Sequence, residues 1–378
     1  MSAAVGLTVA PAVSAEDVEQ YIRFPFTLYR GFPHWVPPLL AERRDFLNPR
    51  KNPVYEYAEI QPFIARRGGR VVGTITALKN SRFGEFHPDE RGVGFFGLYE
   101  CEGDAEASSA LFSAAAEWLR ARGMSAMRGP TNFTTNDVLG LLVDGFDDDP
   151  AILMPYNPPY YAEQFAESGL SKAKDLFAFQ VRAEDCAGRL DRVAAALLAR
   201  GRIAVRQVDL RRWHGELEFV RRCYNEAWAR NWGFVPWTDR ELAAIAKELK
   251  PLIDPRLAFV GEVDGEQAAI SIAVPDANEA LKLAKGSLFP LGLARILWRV
   301  KVSGCRRMRV MALGVLPKYR RLGLDALLIH RTILNGIPLG YESAEVGWIL
   351  EDNEAMLRPL ERIDARRTKA YRVFDKAL

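Results

Sequence analysis

L-G-V-L-P-K-Y-R-R-L-G-L-D-A-L-L, Leu313 to Leu328, leads an apolar strand into Pro317, passes Arg320, Arg321 and Gly323, and then takes up helical spacing. A strand that turns into a helix through basic residues and a glycine is suited to holding phosphate. The N–H groups of a first helical turn have no partner inside the helix, and the aligned peptide dipoles leave about half a positive charge at that end. Arg320 and Arg321 add charged donors, and Gly323 permits close approach of the backbone to a ligand. The candidate site therefore comprises Leu313, Gly314 and Val315 on the strand, with Arg320, Arg321, Leu322, Gly323, Leu324, Asp325 and Ala326 around the turn. A plain strand-to-helix turn with two solvated arginines competes with this reading of so short a pattern.

The chain around this stretch has 378 residues, which suits two domains better than one core. Hydrophobic residues make up 49% and charged residues 26%, the balance of a globular protein. A net charge of only +3 gives no field that argues for nucleic acid as a partner. Cys101, Cys186, Cys223 and Cys305 are far apart and lack CxxC spacing, and His34, His87, His214 and His330 are isolated, so no metal site is expected. The same cysteine usage favours a reducing cytoplasm over a disulfide framework. The first residues have no basic stretch before their apolar ones, so no signal peptide is read, and no apolar run reaches the ~20 residues of a spanning helix. The expected location is cytoplasmic, with membrane contact from one side only.

Periodicity gives one order of elements twice. In the first half a helix over Ala15 to Arg30 precedes strands Gln61 to Arg67 and Val71 to Leu78, joined at Gly68-Gly69. Strand Val93 to Cys101, helix Ala105 to Arg122, a strand near Met124 to Arg128, helix Tyr160 to Glu167 and strand Asp175 to Val181 follow. In the second half, strand Ile203 to Leu210 and helix Glu216 to Ala229 lead to Ala258 to Val263 and Ala268 to Val274, joined at Asp264-Gly265. Strand Met308 to Val315, helix Asp325 to Leu334, and strands Ala344 to Ile349 and Thr368 to Phe374 complete it. The two endings, L-S-K-A-K-D-L-F-A-F and A-R-R-T-K-A-Y-R-V-F, match in kind. These readings predict an α/β (mixed α+β) fold in tandem, with domains at 1–182 and 183–378, joined through Arg182 to Arg202, and an insertion at 276–306 in the second. In place of the phosphate turn the first half has Glu100, Glu102, Asp104 and Glu106, which would repel a pyrophosphate at close range.

R-R-L-G-L-D-A resembles motif A of the GNAT acyltransferase superfamily, with Asp325 departing from its small residue. Y-E-S-A-E-V-G-W-I-L-E-D-N, Tyr341 to Asn353, resembles the next strand of that family and the Asn that opens its next helix. A-E-W-L-R-A-R-G-M with M-R-G-P-T-N, M-P-Y-N-P-P-Y-Y, R-N-W-G-F-V-P-W-T and W-I-L-E-D-N extend the resemblance along the whole chain, to the tandem-GNAT family that includes bacterial ceramide synthases. The resemblance implies two GNAT-like domains, each a mostly antiparallel twisted sheet flanked by helices, of which the second binds acyl-CoA and the first helps wall the acceptor pocket. It implies direct attack of an amine on a thioester, with fatty acyl-CoA as donor and a long-chain sphingoid amine as acceptor.

The resemblance also places Asn353 beside the pantetheine arm and backbone N–H groups near Leu313 to Val315 on the thioester. Where many members carry a Tyr that protonates the thiolate, this chain has Leu360. Some relatives place a Glu base on the strand before the turn, but R-M-R-V-M-A-L-G has no acid. Glu345 on the next strand is the nearest substitute, with a water chain as the competing base and an ion pair with Arg309 as its bland role. Tyr371, or one of Tyr156, Tyr160 and Tyr161, is the candidate acid.

For the acceptor, T-N-F-T-T-N-D-V-L-G (Thr131 to Gly140) and M-P-Y-N-P-P-Y-Y (Met154 to Tyr161) concentrate Asn132, Asn136, Tyr156, Asn157, Tyr160 and Tyr161 in rigid turns. Such turns suit either a wall that hydrogen-bonds a polar head group or two well-capped loops. A-W-A-R-N-W-G-F-V-P-W-T adds Trp232, Phe234 and Trp237 as an aromatic lid or an interface core. Residues 281–310 hold eight basic residues, Lys282, Lys285, Arg295, Arg299, Lys301, Arg306, Arg307 and Arg309, among Leu, Phe and Trp, and no acid. This composition suits peripheral contact of 281–301 with an anionic membrane face, or a helix with its basic side in water. N-acetylation of a small soluble amine and a non-catalytic acyl-CoA-binding scaffold are the alternative functions.

Overall fold

A computed structural model describes residues 6–199, 201–288, 290–299 and 303–378, with the backbone alone at 183–189 and 297. In chain order, β1 (Leu7–Pro11) precedes α1 (Ala15–Leu28) and α2 (Leu40–Phe46). The hairpin β2 (Ala58–Arg67) and β3 (Arg70–Asn80) is followed by α3 (Ser81–Phe86), β4 (Val93–Cys101) and α4 (Ala105–Arg120). Next come β5 (Ala126–Gly129), β6 (Leu141–Asp144), α5 (Tyr161–Glu167), β7 (Ser171–Arg182) and α6 (Ala183–Leu198). The chain continues through β8 (Ile203–Gln207), α7 (Trp213–Ala227), α8 (Asp239–Leu249), β9 (Ala258–Val263) and β10 (Glu266–Pro275). It closes with α9 (Asn278–Ala284), α10 (Gly292–Trp298), β11 (Arg307–Val315), α11 (Leu324–Gly336), β12 (Ser343–Leu350), α12 (Glu354–Arg362) and β13 (Arg366–Ala377).

Local chemistry accounts for many of these boundaries. The β2–β3 turn has Gly68 and Gly69 at φ 59° and 80°, and the β9–β10 turn has Asp264 and Gly265 at 51° and 82°. Both pairs take the positive φ values that a two-residue hairpin matched to strand twist requires. Ser14 opens α1 with a capping box, its hydroxyl accepting from the Asp17 N–H at 3.0 Å. Thr238 and Glu241 do the same for α8.

The residues divide into two compact units: 1–176 with 285–290 and 369–378, and 177–284 with 291–368. In the first, β1, β2, β3 and β4 form an antiparallel series, and β4 pairs with β5 in parallel. β13 then pairs antiparallel with β5, from Phe374 opposite Gly129 to Ala377 opposite Ala126, and β6 also lies on β13. The chain's last strand is thus a strand of its first unit. The core of that unit packs Phe96, Tyr99, Leu111, Phe112 and Phe165 beneath α4 and α5, with Phe374 from the C-terminal strand.

In the second unit the order is the 177–182 half of β7, then β12, β11, β10, β9 and β8. Its core joins Val260 and Ile270 of the sheet with Leu324, Leu327 and Leu328 of α11 and Phe219 of α7. Two elements differ from the sequence reading. The join expected through Arg182 to Arg202 is mostly the 16-residue helix α6, which packs on α11. The insertion near 276–306 forms two short helices. Glu279 holds its return to β11 by accepting from the N–H groups of Arg306 and Arg307, both at 3.0 Å, and from Arg299.

Candidate active site

The turn from Arg320 to Gly323 has alternating handedness. Arg321 has φ 68° and Gly323 has φ 83°, and α11 begins at the next residue. Successive N–H groups in such a turn point inward and make an anion-binding concavity. Gly323 occupies the N-cap position, and no side chain caps the helix. The first intrahelical bond runs from the Leu327 N–H to the Gly323 carbonyl at 3.1 Å, so the N–H groups of Leu324, Asp325 and Ala326 precede the ladder. Gly323 serves the packing of α6 as well: a Cβ there would lie 2.8 Å from Leu197. Arg321 is exposed, whereas Arg320 donates to the Ala227 carbonyl at 2.8 Å and so ties the turn to the end of α7.

β11 reaches this turn through a bulge. Its register with β10 shifts between Ile272 and Ala273, opposite Ala312 and Val310, leaving Met311 as the extra residue. On its other side β11 pairs in parallel with β12 from Arg307 and Ser343 only as far as Val310 and Val346. Beyond that pair the strands part. Val310, Leu313 and Val346 line an apolar pocket here, and the chain after β11 passes through a turn at Pro317–Tyr319 before α11 begins. Trp228 packs on Gly314, where a Cβ would meet its ring at 2.4 Å.

Side chains alternate about the β11–β12 pair. Met308, Val310, Ala344 and Val346 face α11 and α12, and Arg309 and Glu345 face the other way. Glu345 is 2% exposed and lies opposite Arg309 in register, while Arg309 also donates to the Gly347 carbonyl at 3.0 Å. Near Gly314, Tyr224 stacks between Trp228 at 4.6 Å and Trp237 at 3.8 Å, with Phe234 tilted against it at 5.6 Å. Asn353 heads α12 without a side-chain cap bond, and Leu360 is buried against the sheet.

The first unit has the same framework with both openings filled. β4 and β5 pair only from Val93 and Ala126 to Phe95 and Arg128, and Leu98 sits at a bulge with φ 45°. The following chain enters the gap. The Thr131 N–H donates to the Phe96 carbonyl at 2.8 Å, and Asn132 Oδ1 accepts from the Leu98 N–H at 3.1 Å. At the helix start, Asp104 accepts from the Ala107 N–H at 3.0 Å, so a carboxylate of the chain itself caps α4. Arg67 pairs with Asp104 and Glu106, and Arg70 with Glu102.

Several residues expected to bind an acceptor hold this unit together. Asn157 pairs with both backbone groups of Leu142, at 2.7 and 3.1 Å. Tyr160 donates to the Cys101 carbonyl at 2.9 Å, and the Tyr156 carbonyl accepts from Tyr29 at 3.2 Å. The Asn136 N–H donates to the Thr134 hydroxyl at 3.2 Å. Tyr371 is fully buried in the first unit, with its Cβ beside the Gly140 position, while Glu345 belongs to the second. Trp232, Phe234 and Trp237 lie in the second unit with the Arg320–Gly323 turn.

Glu100 has more to it than its place in an acidic run suggests. Its Oε2 accepts from the hydroxyls of Tyr29 and Tyr161, each at 2.8 Å, and burial lifts its carboxyl to about 7 against the opposite pull of those donors. Among the described residues no group of three or more His, Cys, Asp or Glu is placed to hold a metal, and no helix is long and apolar enough to cross a membrane.

No family model matches the chain. It is, however, 38% identical to the bacterial ceramide synthase of Caulobacter vibrioides over 380 residues, 98% of either chain. The chain belongs to the bacterial ceramide synthase family. Protein YghO of Escherichia coli is 34% identical over 374 residues, 97% of this chain and 94% of that one. The solved structure of a tandem GNAT protein from the clavulanic acid biosynthesis pathway matches 98% of both chains with a TM-score of 0.56 at 13% identity. The fold is that of tandem GNAT proteins, and the chain is an amide-forming N-acyltransferase.

Proposed function

We propose that this family member transfers a fatty acyl group from acyl-CoA to the amine of a long-chain sphingoid base, giving a ceramide-type or ketoceramide-type amide. The observation that carries the donor assignment is the contrast between the units: an uncapped helix start beside parted strands in the second, and the same two features filled by Asp104 and Asn132 in the first. The N–H groups of Leu324 to Ala326, with Arg321, suit a pyrophosphate. The pantetheine arm would follow β11 from the turn toward the bulge at Met311, past Asn353.

The amine's lone pair attacks the thioester carbon, the C–N bond forms and the C–S bond breaks. The nitrogen loses a proton, and the departing thiolate gains one to give free CoA. Glu345 is the base we assign, placed on the strand face opposite α11 and α12. Its position opposite Arg309 also suits an ion pair, so Glu345→Gln decides the role: a base leaves an acid limb in the pH–rate profile that the variant loses. Tyr371, midway along the C-terminal strand, is the acid we assign. The aromatic group around Tyr224 suits an apolar acceptor.

Peripheral membrane contact fits the same reading. Leu291 and Trp298 are each 57% exposed on or beside α10, among Lys282, Arg295 and Arg299. Incubation with palmitoyl-CoA or acetyl-CoA and sphinganine or 3-ketosphinganine, read by mass spectrometry, tests the function. N-acyl product from the long-chain donor is expected. Its absence at every chain length removes the lipid assignment, and faster acetyl transfer to soluble amines replaces it.

A further inference from the structure

Between the β11–β12 pair and helices α11 and α12, the second unit has an apolar pocket that opens to solvent. Val310 and Val346, the last matched pair before the strands part, belong to its wall, with Ile329 and Ile333 of α11 and Met356 and Leu360 of α12. Its two hydroxyls are occupied with each other: Ser271 and Thr332 lie 3.2 Å apart, and Thr332 also bonds the Leu328 carbonyl at 2.9 Å. A pantetheine arm carries amides that need partners, and this space offers none. A hydrocarbon needs none, and gains about fourfold in affinity for each methylene it buries.

We propose that this cavity receives the acyl chain of the donor thioester, so that α12 and the back of α11 set the chain length the enzyme accepts. The inference rests on the acyl-CoA reading above and adds to it the place of the chain. A thioester held where β11 and β12 diverge has its carbonyl carbon beside Val310 and Val346, and the chain beyond it continues between the two helices. Leu360 supports the same occupant: at this position in the wall the side chain is apolar and buried.

Non-reactive thioethers of CoA with ethyl, octyl and hexadecyl chains, titrated into the full-length protein, test this. Affinity should rise with chain length, by up to about fourfold per methylene until the cavity is full, and the binding heat capacity should grow more negative. Ile333→Trp and Leu360→Trp should each lower the ratio of hexadecyl to ethyl affinity at least tenfold. That ratio is internal to each variant and so is independent of its overall stability. In the wild-type protein, a hexadecyl chain with a terminal diazirine should label peptides from Leu324–Gly336 or Glu354–Arg362. Equal affinity at all lengths, or labelling confined to other peptides, overturns the cavity assignment and leaves the donor reading standing. Failure of CoA and every thioether to bind removes both.

Discussion

Glu100 holds a carboxyl where its charged form is disfavoured. Its folded-state value of about 7 stands above the ordinary 4.5, so between the two the folded chain keeps a proton that the unfolded chain has released. The stability this contributes is present below about 4.5 and is lost as pH rises through about 7. Thermal unfolding of wild type and Glu100→Gln should therefore move apart with pH, the variant gaining on the wild type from pH 5 to pH 8. A difference that stays constant over that range contradicts the buried carboxyl. At the phosphate turn, Arg321 is exposed and its backbone already lies in the left-handed region. Arg321→Ala should weaken CoA binding by about 1.5–3 kcal/mol, the range for hydrogen bonds to charged groups, as read by calorimetry. Asp325→Asn should have the opposite effect, because it removes a like charge from the first turn of α11. Unchanged affinity in both variants would show that the turn does not hold the pyrophosphate. Neither the burial of Glu100 nor its tyrosine partners was legible in Y-E-C-E-G-D-A-E. The spacing showed a negative run, whereas burial depends on Tyr29 and Tyr161, 71 and 61 residues away.

At the scale of elements, α4 and α11 are two versions of one helix start, and their caps separate them. Asp104→Ala should cost about 1 kcal/mol of stability, as loss of an N-cap does. It should gain no CoA binding, because Asn132 still fills the neighbouring gap through the Leu98 N–H. Chemical denaturation with CoA titration checks both parts, and acquired CoA affinity would mean that Asp104 alone closes the first unit's site. Gly323→Ala should cost about 2 kcal/mol or more, since its φ of 83° strains an L-residue and Leu197 stands 2.8 Å from the new carbon. The hairpins and the strand-to-helix turn before α11 could be read in advance because Gly68-Gly69, Asp264-Gly265 and R-R-L-G encode local backbone geometry. The filling of the first unit's gap could not be. It depends on Asn132 meeting an amide 34 residues away, and a polar turn looks the same in sequence whether it faces a ligand or its own sheet.

At the scale of the whole molecule, the sequence reading closes each half with its own final strand, giving domains at 1–182 and 183–378. The compact units include the C-terminal strand with the first 176 residues. L-S-K-A-K-D-L-F-A-F and A-R-R-T-K-A-Y-R-V-F share one alternation, and alternation fixes which face of a strand is buried without naming its neighbour. The C-terminal strand contributes Phe374 to the first core and Asp375 to Arg128, whose side chain is 8% exposed and also pairs with Glu90. Asp375→Ala should cost about 2 kcal/mol, below the ~3–5 kcal/mol of a fully buried pair, because Glu90 remains and Asp375 is partly exposed. A fragment ending at residue 182 lacks that strand altogether, which bares the edge of β5 and one wall of the aromatic core. It should fail to unfold cooperatively on heating, and fusing residues 369–378 after residue 182 through a flexible linker should restore a cooperative transition. A fragment 1–182 that folds unaided would mean that β13 merely lies on a unit already complete, whereas rescue by the last ten residues would show that the folding unit is assembled from both ends of the chain.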